Sequence, residues 1–202
     1  MRSAFFVCSP EIYDSEAVQN RILEARSHAD HAWIFNIRER EQILLDRPLY
    51  SLCCDKPRYQ SGPRFLIIFH DSSLRTLRDL RGKHAALLRQ AAHDSQKYLK
   101  QHYPKEEWVF YFNYVPSVFQ LHAHVCPAHS TRHASRSHNL FRVVRNIERD
   151  SEYYAKALIL TYISRTNALN ATLIDEIAPR IELDSCNAWT GEARHAKRIL
   201  QK

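Results

Sequence analysis

Residues 119–126 constrain the fold of this 202-residue chain more than any other segment. Apolar and polar residues alternate strictly there, which is the pattern of a β-strand with two unlike faces. The apolar side carries Phe119, Leu121, Ala123 and Val125, and the other side carries Gln120, His122, His124 and Cys126. We therefore predict a strand whose polar side places two imidazoles and an amide in one row.

The rest of the chain predicts an α+β fold with a mostly antiparallel sheet and a long helix packed on it. Helical spacing of apolar residues predicts helices at residues 15–26, 85–102, 140–147 and 169–177. Aromatic and β-branched runs predict strands at residues 32–37, 43–45, 65–69, 108–115 and 157–163. Between the second and third of these strands, Pro48, Pro57, Gly62 and Pro63 predict a loop-rich connection.

The composition indicates which kinds of partner the chain is expected to bind. Lysine and arginine number 29 against 22 acidic residues, and the net charge of +7 favours anionic partners such as phosphates, nucleotides or RNA. The chain has no apolar stretch of about 18 residues, so no membrane partner is expected. Five cysteines without a CxxC pair favour reduced thiols, and therefore a cytoplasmic or nuclear location, over a disulfide framework.

The residues alone leave three roles open for the polar side of the 119–126 strand. It could be a solvated face, because the chain contains 12 histidines and two can fall there by chance. It could bind a metal with Cys126 or His129 as further ligands, although no carboxylate cluster or spaced cysteine pair accompanies them. It could carry nucleophilic chemistry on a phosphate, since Arg132 and Arg136 follow closely.

The motifs around the strand stand in a distinctive order. Residues 115–125 read Val-Pro-Ser-Val-Phe-Gln-Leu-His-Ala-His-Val, and an aromatic-rich strand precedes them. Residues 70–80 read His-Asp-Ser-Ser-Leu-Arg-Thr-Leu-Arg-Asp-Leu before the long helix, and residues 136–140 and 146–150 read Arg-Ser-His-Asn-Leu and Asn-Ile-Glu-Arg-Asp. This set resembles the histidine-triad superfamily, and most closely the C-terminal domain of scavenger mRNA-decapping enzymes, over residues 32–177.

The resemblance implies roles for the histidine row. The family signature places its nucleophile at the middle triad position, which is His122 here, and its third histidine at His124. Gln120 replaces the first histidine, and an amide cannot carry a proton away. The other register, with Cys126 in third place, would break the spacing from Pro116 and Ser117.

The resemblance also implies how substrate is held. Ser117, His124 and Arg136 would bind phosphoryl oxygens, and so would Asn113, which stands where relatives usually have histidine. Cap-binding residues are a Trp that stacks on the methylated base, a Glu that reads the guanine edge, and an Asp-Lys pair that contacts the nucleotide. These correspond here to Trp33, Glu39 (with Glu41 as the alternative), Asp55 and Lys56.

The expected organisation is a short N-terminal extension (1–30), where the family's N-terminal domain is largely absent, a histidine-triad domain (31–180) and a polar tail (181–202). The implied activity is hydrolysis of 7-methylguanosine cap dinucleotides or short capped RNA through a histidyl-nucleotide intermediate, without metal or cofactor, in a homodimer that acts in mRNA decay. Two alternatives stay open. One is a broader dinucleoside-polyphosphate or nucleotide-conjugate hydrolase, and the other is a cap-binding or nucleotide-binding protein with reduced turnover.

Overall fold

A computed structural model of the chain describes residues 4–28, 32–35, 43–55, 62–130 and 137–163. The strands are β1 Ala4–Cys8, β2 Ile43–Asp46, β3 Tyr50–Cys54, β4 Phe65–Phe69, β5 Trp108–Asn113, β6 His122–Pro127, β7 Ser137–Asn139 and β8 Ile159–Ile163. Six of them form one sheet in the order β2-β3-β4-β6-β5-β7, and β1 pairs with β8. All of these pairings are antiparallel, which confirms the predicted α+β class.

The helices are α1 Pro10–Asp14, α2 Glu16–Ser27, α3 Ala32–Phe35, α4 Ala85–His102, α5 Leu140–Arg149 and α6 Tyr153–Lys156. Side-chain caps explain several of their starts, because a side-chain oxygen can satisfy the free N–H groups of a first turn. Ser15 caps α2 by accepting from the Val18 N–H, and Asn139 caps α5 by accepting from the N–H groups of Phe141 and Arg142. No helix in the described ranges is long and apolar enough to cross a bilayer.

One face of the six-stranded sheet packs on α4 and α5. The two helices contribute buried residues three and four apart, as an amphipathic helix on a core requires. The helical members of this core include Leu88, Ala92, Leu99, Val143 and Ile147, and its sheet members include Phe65, Ile67, Phe112, Ala123 and Val125. The apolar side of the histidine strand is therefore the core side, as predicted.

The other face of the sheet has a smaller apolar cluster. Ile34 of α3 packs there with Cys53, Leu66, Ile68 and Val118. In the β4–β6 ladder Leu66 lies opposite His124, and Ile68 lies opposite His122. Directly opposed residues share a face, so α3 packs on the face that carries the two histidines.

Most predicted elements are confirmed in the described part of the chain, and two are wrong. Residues 32–35 form the helical turn α3 instead of a strand, because packing of Ile34 on the sheet overrides local β propensity. The histidine strand begins at His122 instead of residue 119. Residues 117–120 bend, and the Leu121 N–H donates to the Leu74 carbonyl outside the ladder. The predicted helix at 169–177 and the 181–202 tail lie outside the described residues.

Strand β3 lies inside the segment that the sequence predicted to be loop-rich. It pairs with β2 on one side and with β4 on the other, and its first four residues are buried. A strand buried on both faces loses the alternation that marks a half-exposed strand. Pro48 falls just before β3, where a proline interrupts no ladder hydrogen bond.

Candidate active site

The two histidines of β6 lie side by side on the sheet face that α3 covers. Their ring centroids are 5.2 Å apart, and the ring planes meet at 67°. His122 and the neighbouring Gln120 and Cys126 are buried, with 7%, 3% and 1% of their surface exposed, and His124 is half-buried. The solvated-face hypothesis for this side of the strand is therefore wrong.

A main-chain hydrogen bond fixes the tautomer of His122. Its Nδ1 lies 2.7 Å from the carbonyl oxygen of Gln120. A carbonyl oxygen can only accept, so Nδ1 carries the proton and Nε2 keeps its lone pair. Burial lowers the pKa of His122, which outweighs the opposite effect of the Gln120 carbonyl. His122 is therefore a neutral imidazole with an available Nε2, which is the form that nucleophilic attack requires.

Gln120 positions His122 through the backbone. Its Nε2 donates to the carbonyls of Phe69 at 2.6 Å and Asp71 at 2.9 Å, so main-chain acceptors take both amide hydrogens. Its Oε1 is buried without a hydrogen-bond partner among the described residues. These two hydrogen bonds attach the bend before β6 to the end of β4. They therefore fix the position of the Gln120 carbonyl that orients His122. Both amide hydrogens of Gln120 are used in these structural hydrogen bonds, and the amide has no proton that it can transfer to a substrate.

His124 lies between an aromatic ring and a carboxylate. The ring of Tyr111 stacks on it at a centroid distance of 5.2 Å and an interplanar angle of 15°. The Oδ2 of Asp55 is 4.0 Å from Nδ1 of His124. The sequence predicted Asp55 as a nucleotide contact, and the structure places it beside the third triad position.

Tyr111 and Arg64 are site residues that sequence reasoning missed. Tyr111 lies opposite His124 in the β5–β6 ladder, and burial and the Cys126 thiol raise its pKa to about 12, which keeps the phenol neutral. The charges of Arg64 and Asp55 both act on this phenol. The Asp55 N–H donates to the Arg64 carbonyl at 2.9 Å, so the backbone holds a cation and an anion at this end of the row.

One predicted phosphate-binding residue, Asn113, lies at the other end of β5. Asn113 is the last residue of that strand, two positions after Tyr111, and therefore faces the same side. Its Oδ1 accepts a hydrogen bond from Ser137 Oγ at 3.4 Å. Ser117 is exposed in the bend that leads to Gln120. Arg136 lies outside the described residues.

The predicted base-binding residues are only partly described. Trp33 belongs to α3, directly before Ile34, and so its backbone lies over the histidine-bearing face. Glu39, its alternative Glu41, and Lys56 lie outside the described residues. Within the described ranges no group of three or more His, Cys, Asp and Glu side chains is arranged to hold a metal ion.

The family model described as "Scavenger mRNA decapping enzyme C-term binding" matches residues 32–139. The chain belongs to this family. The matched range contains every residue that the sequence singled out for the site, from Trp33 to Arg136. Membership in the scavenger-decapping family agrees with the fold, in which an open antiparallel sheet carries the two-histidine strand.

Curated relatives agree with this family assignment. The chain is 30% identical to the m7GpppX diphosphatase of Homo sapiens and 29% identical to that of Sus scrofa, each over 160 residues. The enzyme of the same name from Rattus norvegicus is 30% identical over 151 residues. The first two alignments cover 71% of this chain and 47% of the relative, and the third covers 67% and 45%. The chain thus spans about half the length of the curated relatives it matches.

Proposed function

We propose that this protein is a histidine-triad hydrolase of the scavenger-decapping type, which cleaves 7-methylguanosine cap dinucleotides or short capped RNA. The observation that carries the proposal is the hydrogen bond from His122 Nδ1 to the Gln120 carbonyl. It leaves Nε2 of a buried, neutral imidazole as the nucleophile. The names of the curated relatives, m7GpppX diphosphatases, support the substrate class.

The reaction proceeds in two displacements. His122 Nε2 attacks the phosphorus that bears 7-methylguanosine, a P–N bond forms, and the bond to the bridging oxygen breaks. That oxygen leaves with its electron pair as part of a nucleoside diphosphate or of an RNA with a 5′-diphosphate. Water then attacks the same phosphorus and loses a proton to His124 or to solvent, the P–N bond breaks with its electron pair returning to Nε2, and 7-methyl-GMP and neutral His122 are released. Two easier steps replace one difficult displacement.

The rest of the row stabilises the phosphoryl charge. His124 donates to a phosphoryl oxygen, and Asp55 at 4.0 Å stabilises the imidazole when it carries a proton. Ser117 and Arg136 complete this binding in the proposal. Because the amide of Gln120 is not an acid, and main-chain carbonyls accept both of its hydrogens, the leaving oxygen takes its proton from His124 or from water.

The direct test is incubation of the protein with cap dinucleotide, with the unmethylated analogue and with a diadenosine polyphosphate, all in excess chelator. We expect 7-methyl-GMP as a product, and activity that survives the chelator because protein side chains handle the phosphoryl charge. Chromatography resolves the products, and acid-labile phosphohistidine trapped on wild type but missing from His122→Asn identifies the intermediate. Loss of activity with chelator that a divalent ion restores contradicts this mechanism.

Base recognition separates decapping from broader nucleotide hydrolysis. In the proposal Trp33 stacks on the cationic methylguanine, Glu39 reads its edge, and Asp55 and Lys56 contact the nucleotide. A cation over an indole face is worth about 1–2 kcal/mol, or roughly five- to thirtyfold in affinity. Trp33→Ala in a His122→Asn background should therefore weaken cap dinucleotide binding more than binding of the unmethylated analogue. Equal losses favour the broader hydrolase.

A matched control for this comparison lies in the same helix turn. Phe35 is exposed, and its ring lies beside the Arg26 guanidinium at 5.1 Å. Phe35→Ala removes an aromatic ring from α3 and should leave both affinities unchanged. If Phe35→Ala and Trp33→Ala act alike, the effect comes from disturbing α3 and not from stacking on the base.

A second function, cap binding with reduced turnover, is favoured by Gln120. An amide whose hydrogens are both committed cannot act as an acid. Tight binding of cap dinucleotide without product or phosphohistidine would establish this alternative. We further propose a homodimer, measurable by sedimentation, in a reducing compartment such as the cytoplasm or nucleus, where Cys53, Cys54 and Cys126 stay free thiols.

A further inference from the structure

A recess lies at the β7 edge of the sheet, between β7, α5 and α6. It encloses about 340 Å³ and is lined by residues that include Ser137, His138, Arg142, Asn146, Tyr153 and Tyr154. His138 is paired with Phe112, a core residue, so it lies on the core face of the sheet. The recess therefore opens on the face away from His122 and His124. Its volume is at the lower end of the range for small-ligand clefts, about 300–1,000 Å³.

The lining offers an aromatic ring beside neutral polar groups. Tyr153 is 40% exposed, and its ring meets that of Tyr154 edge-on at 4.9 Å. The Asn146 amide donates to the Tyr154 hydroxyl at 3.0 Å, which fixes the amide at the wall of the recess. Burial, with the charges of Arg142 and Arg78, lowers the pKa of His138 to about 4, so this imidazole is neutral. A partly exposed ring beside an amide suits a flat heterocycle.

A cationic stripe continues from the recess along α5. Arg142, Arg145 and Arg149 are all exposed, and at about 100° per residue they fall within about 60° of one another on the helix surface. None of the three pairs with an acidic side chain among the described residues. We name these three residues the arginine stripe.

The acidic side chains near the arginine stripe have other partners: Asp150, which directly follows α5, accepts from the Glu152 N–H at 3.0 Å. Glu148 accepts from Arg89 Nε at 2.9 Å, which ties α5 to α4. Glu152 pairs with Lys156 at 2.7 Å within α6. The stripe therefore keeps its positive charge toward solvent, which suits a ligand with successive phosphates.

The recess also borders the candidate active site. Ser137 lines the recess, and its hydroxyl donates to Asn113, which stands on the histidine-bearing face. Strand β7 is the edge strand of the described sheet, so a ligand that leaves the histidine row past Asn113 has this three-residue strand, among the described elements, between it and the recess. One extended ligand can occupy both places.

We infer that the recess and the arginine stripe bind single-stranded RNA, with a base against Tyr153 and successive phosphates along the stripe. Stacking on aromatic rings beside a basic track is how proteins hold single strands without reading their sequence. The recess favours RNA over an anionic membrane, because a single base can enter a cleft of about 340 Å³ and the broad surface of a bilayer cannot. This inference goes beyond cap hydrolysis and does not depend on it.

The test uses an uncapped, fluorescein-labelled single-stranded RNA of about twelve nucleotides and fluorescence anisotropy at several salt concentrations. The triple variant Arg142→Gln/Arg145→Gln/Arg149→Gln should bind at least about tenfold more weakly. Its slope of log affinity against log salt should fall by about 2, because each phosphate contact on a single strand contributes about 0.7. Tyr153→Ala should cost about tenfold with the salt slope unchanged.

A charge-matched control separates a built site from general attraction. Lys97, Lys100 and Lys105 are exposed on and just after α4, and their triple glutamine variant removes the same charge. This control should lose less than about threefold in RNA affinity, and both triple variants should cleave cap dinucleotide as wild type does. Equal losses in the two triple variants, no RNA binding by wild type, or stronger binding to vesicles of anionic phospholipid would each overturn the inference.

Discussion

The two histidines of β6 are two residues apart, yet the regions around them differ. His122 is buried, and its ring is held by a main-chain carbonyl that fixes one tautomer. His124 is half-buried, stacked on Tyr111 and 4.0 Å from the carboxylate of Asp55. The His122 end of the row is buried and neutral, and the His124 end lies beside the charged side chain of Asp55.

This difference is consistent with the proposed division of labour between the two histidines, and it supplies a physical reason for that division. A nucleophile needs an unprotonated nitrogen, which burial and a carbonyl acceptor provide at His122. A group that meets phosphoryl charge needs to donate protons, and a nearby carboxylate favours that at His124. Side chains at i and i+2 share a face, but the neighbouring strands decide what each one meets there.

Replacing the nucleophile gives the largest expected effect. His122→Asn should lower cap dinucleotide hydrolysis at least about a thousandfold, because it removes the nitrogen that forms the P–N bond. The Asn amide can still donate to the Gln120 carbonyl, so the thermal midpoint should change little. Steady-state kinetics and a melting curve check the two statements, and near wild-type turnover would show that another residue attacks phosphorus.

His138 is a second histidine whose pKa is lowered by burial, and it lies on the sheet face opposite His122. It is half-buried beside Tyr114 and Tyr154, and its pKa of about 4 lies below the 6.5 of an unfolded histidine. Between these values the unfolded chain binds a proton that the folded chain does not, so stability falls as the pH falls. About 2.5 pH units correspond to about 3 kcal/mol, lost between pH 6.5 and 4.

His138→Gln should remove this contribution, so its free energy of unfolding should depend less on pH across that window. Urea unfolding at several pH values measures it, with His129→Gln as the control because that side chain is 70% exposed. Cap dinucleotide hydrolysis should persist in His138→Gln, since this histidine lies across the sheet from the row. If the free energy of unfolding of His138→Gln depends on pH as that of wild type does, His138 is not the group whose pKa is lowered on folding.

Much of this fold could be predicted because its main elements show simple periods. The spacing of Leu88, Ala92 and Leu99 predicts α4, and the alternation around His122 and His124 predicts their shared face. Strand β3 could not be predicted in this way, because a strand buried on both faces does not alternate. The helical turn α3 could not be predicted either, since it depends on the packing of Ile34 against β3 and β4.

The sequence alone leads to the proposed reacting residues, but it reveals much less about the groups that hold them in place. A motif identifies His122, but the partners of Gln120 are main-chain carbonyls at the end of β4, which no side-chain pattern reveals. Tyr111 reaches His124 only through the β5–β6 register. Arg64 reaches the same end of the row through the residues that lead into β4.

Removing the carboxylate at the ionised end should have a moderate effect. Asp55→Asn should lower kcat/KM for cap dinucleotide by about tenfold, because a partly exposed pair at 4.0 Å is screened by solvent. Asp55→Glu should restore part of the loss. Glu106→Gln is the matched control, since it removes a carboxylate 3.7 Å from His129, outside the row. Equal effects of Asp55→Asn and Glu106→Gln would contradict a role for Asp55 at His124.

Tyr111 gives the smallest effect and separates stacking from polar contact. Its ring lies nearly parallel to that of His124, and aromatic pairs contribute about 0.5–1.5 kcal/mol beyond buried area. Tyr111→Leu should therefore lower kcat by about two- to tenfold, whereas Tyr111→Phe keeps the ring and should stay close to wild type. Burial keeps the phenol neutral, with its pKa near 12, so its charge plays no part near neutral pH. A Phe variant as impaired as the Leu variant would show that the hydroxyl, and not the stacked ring, positions His124.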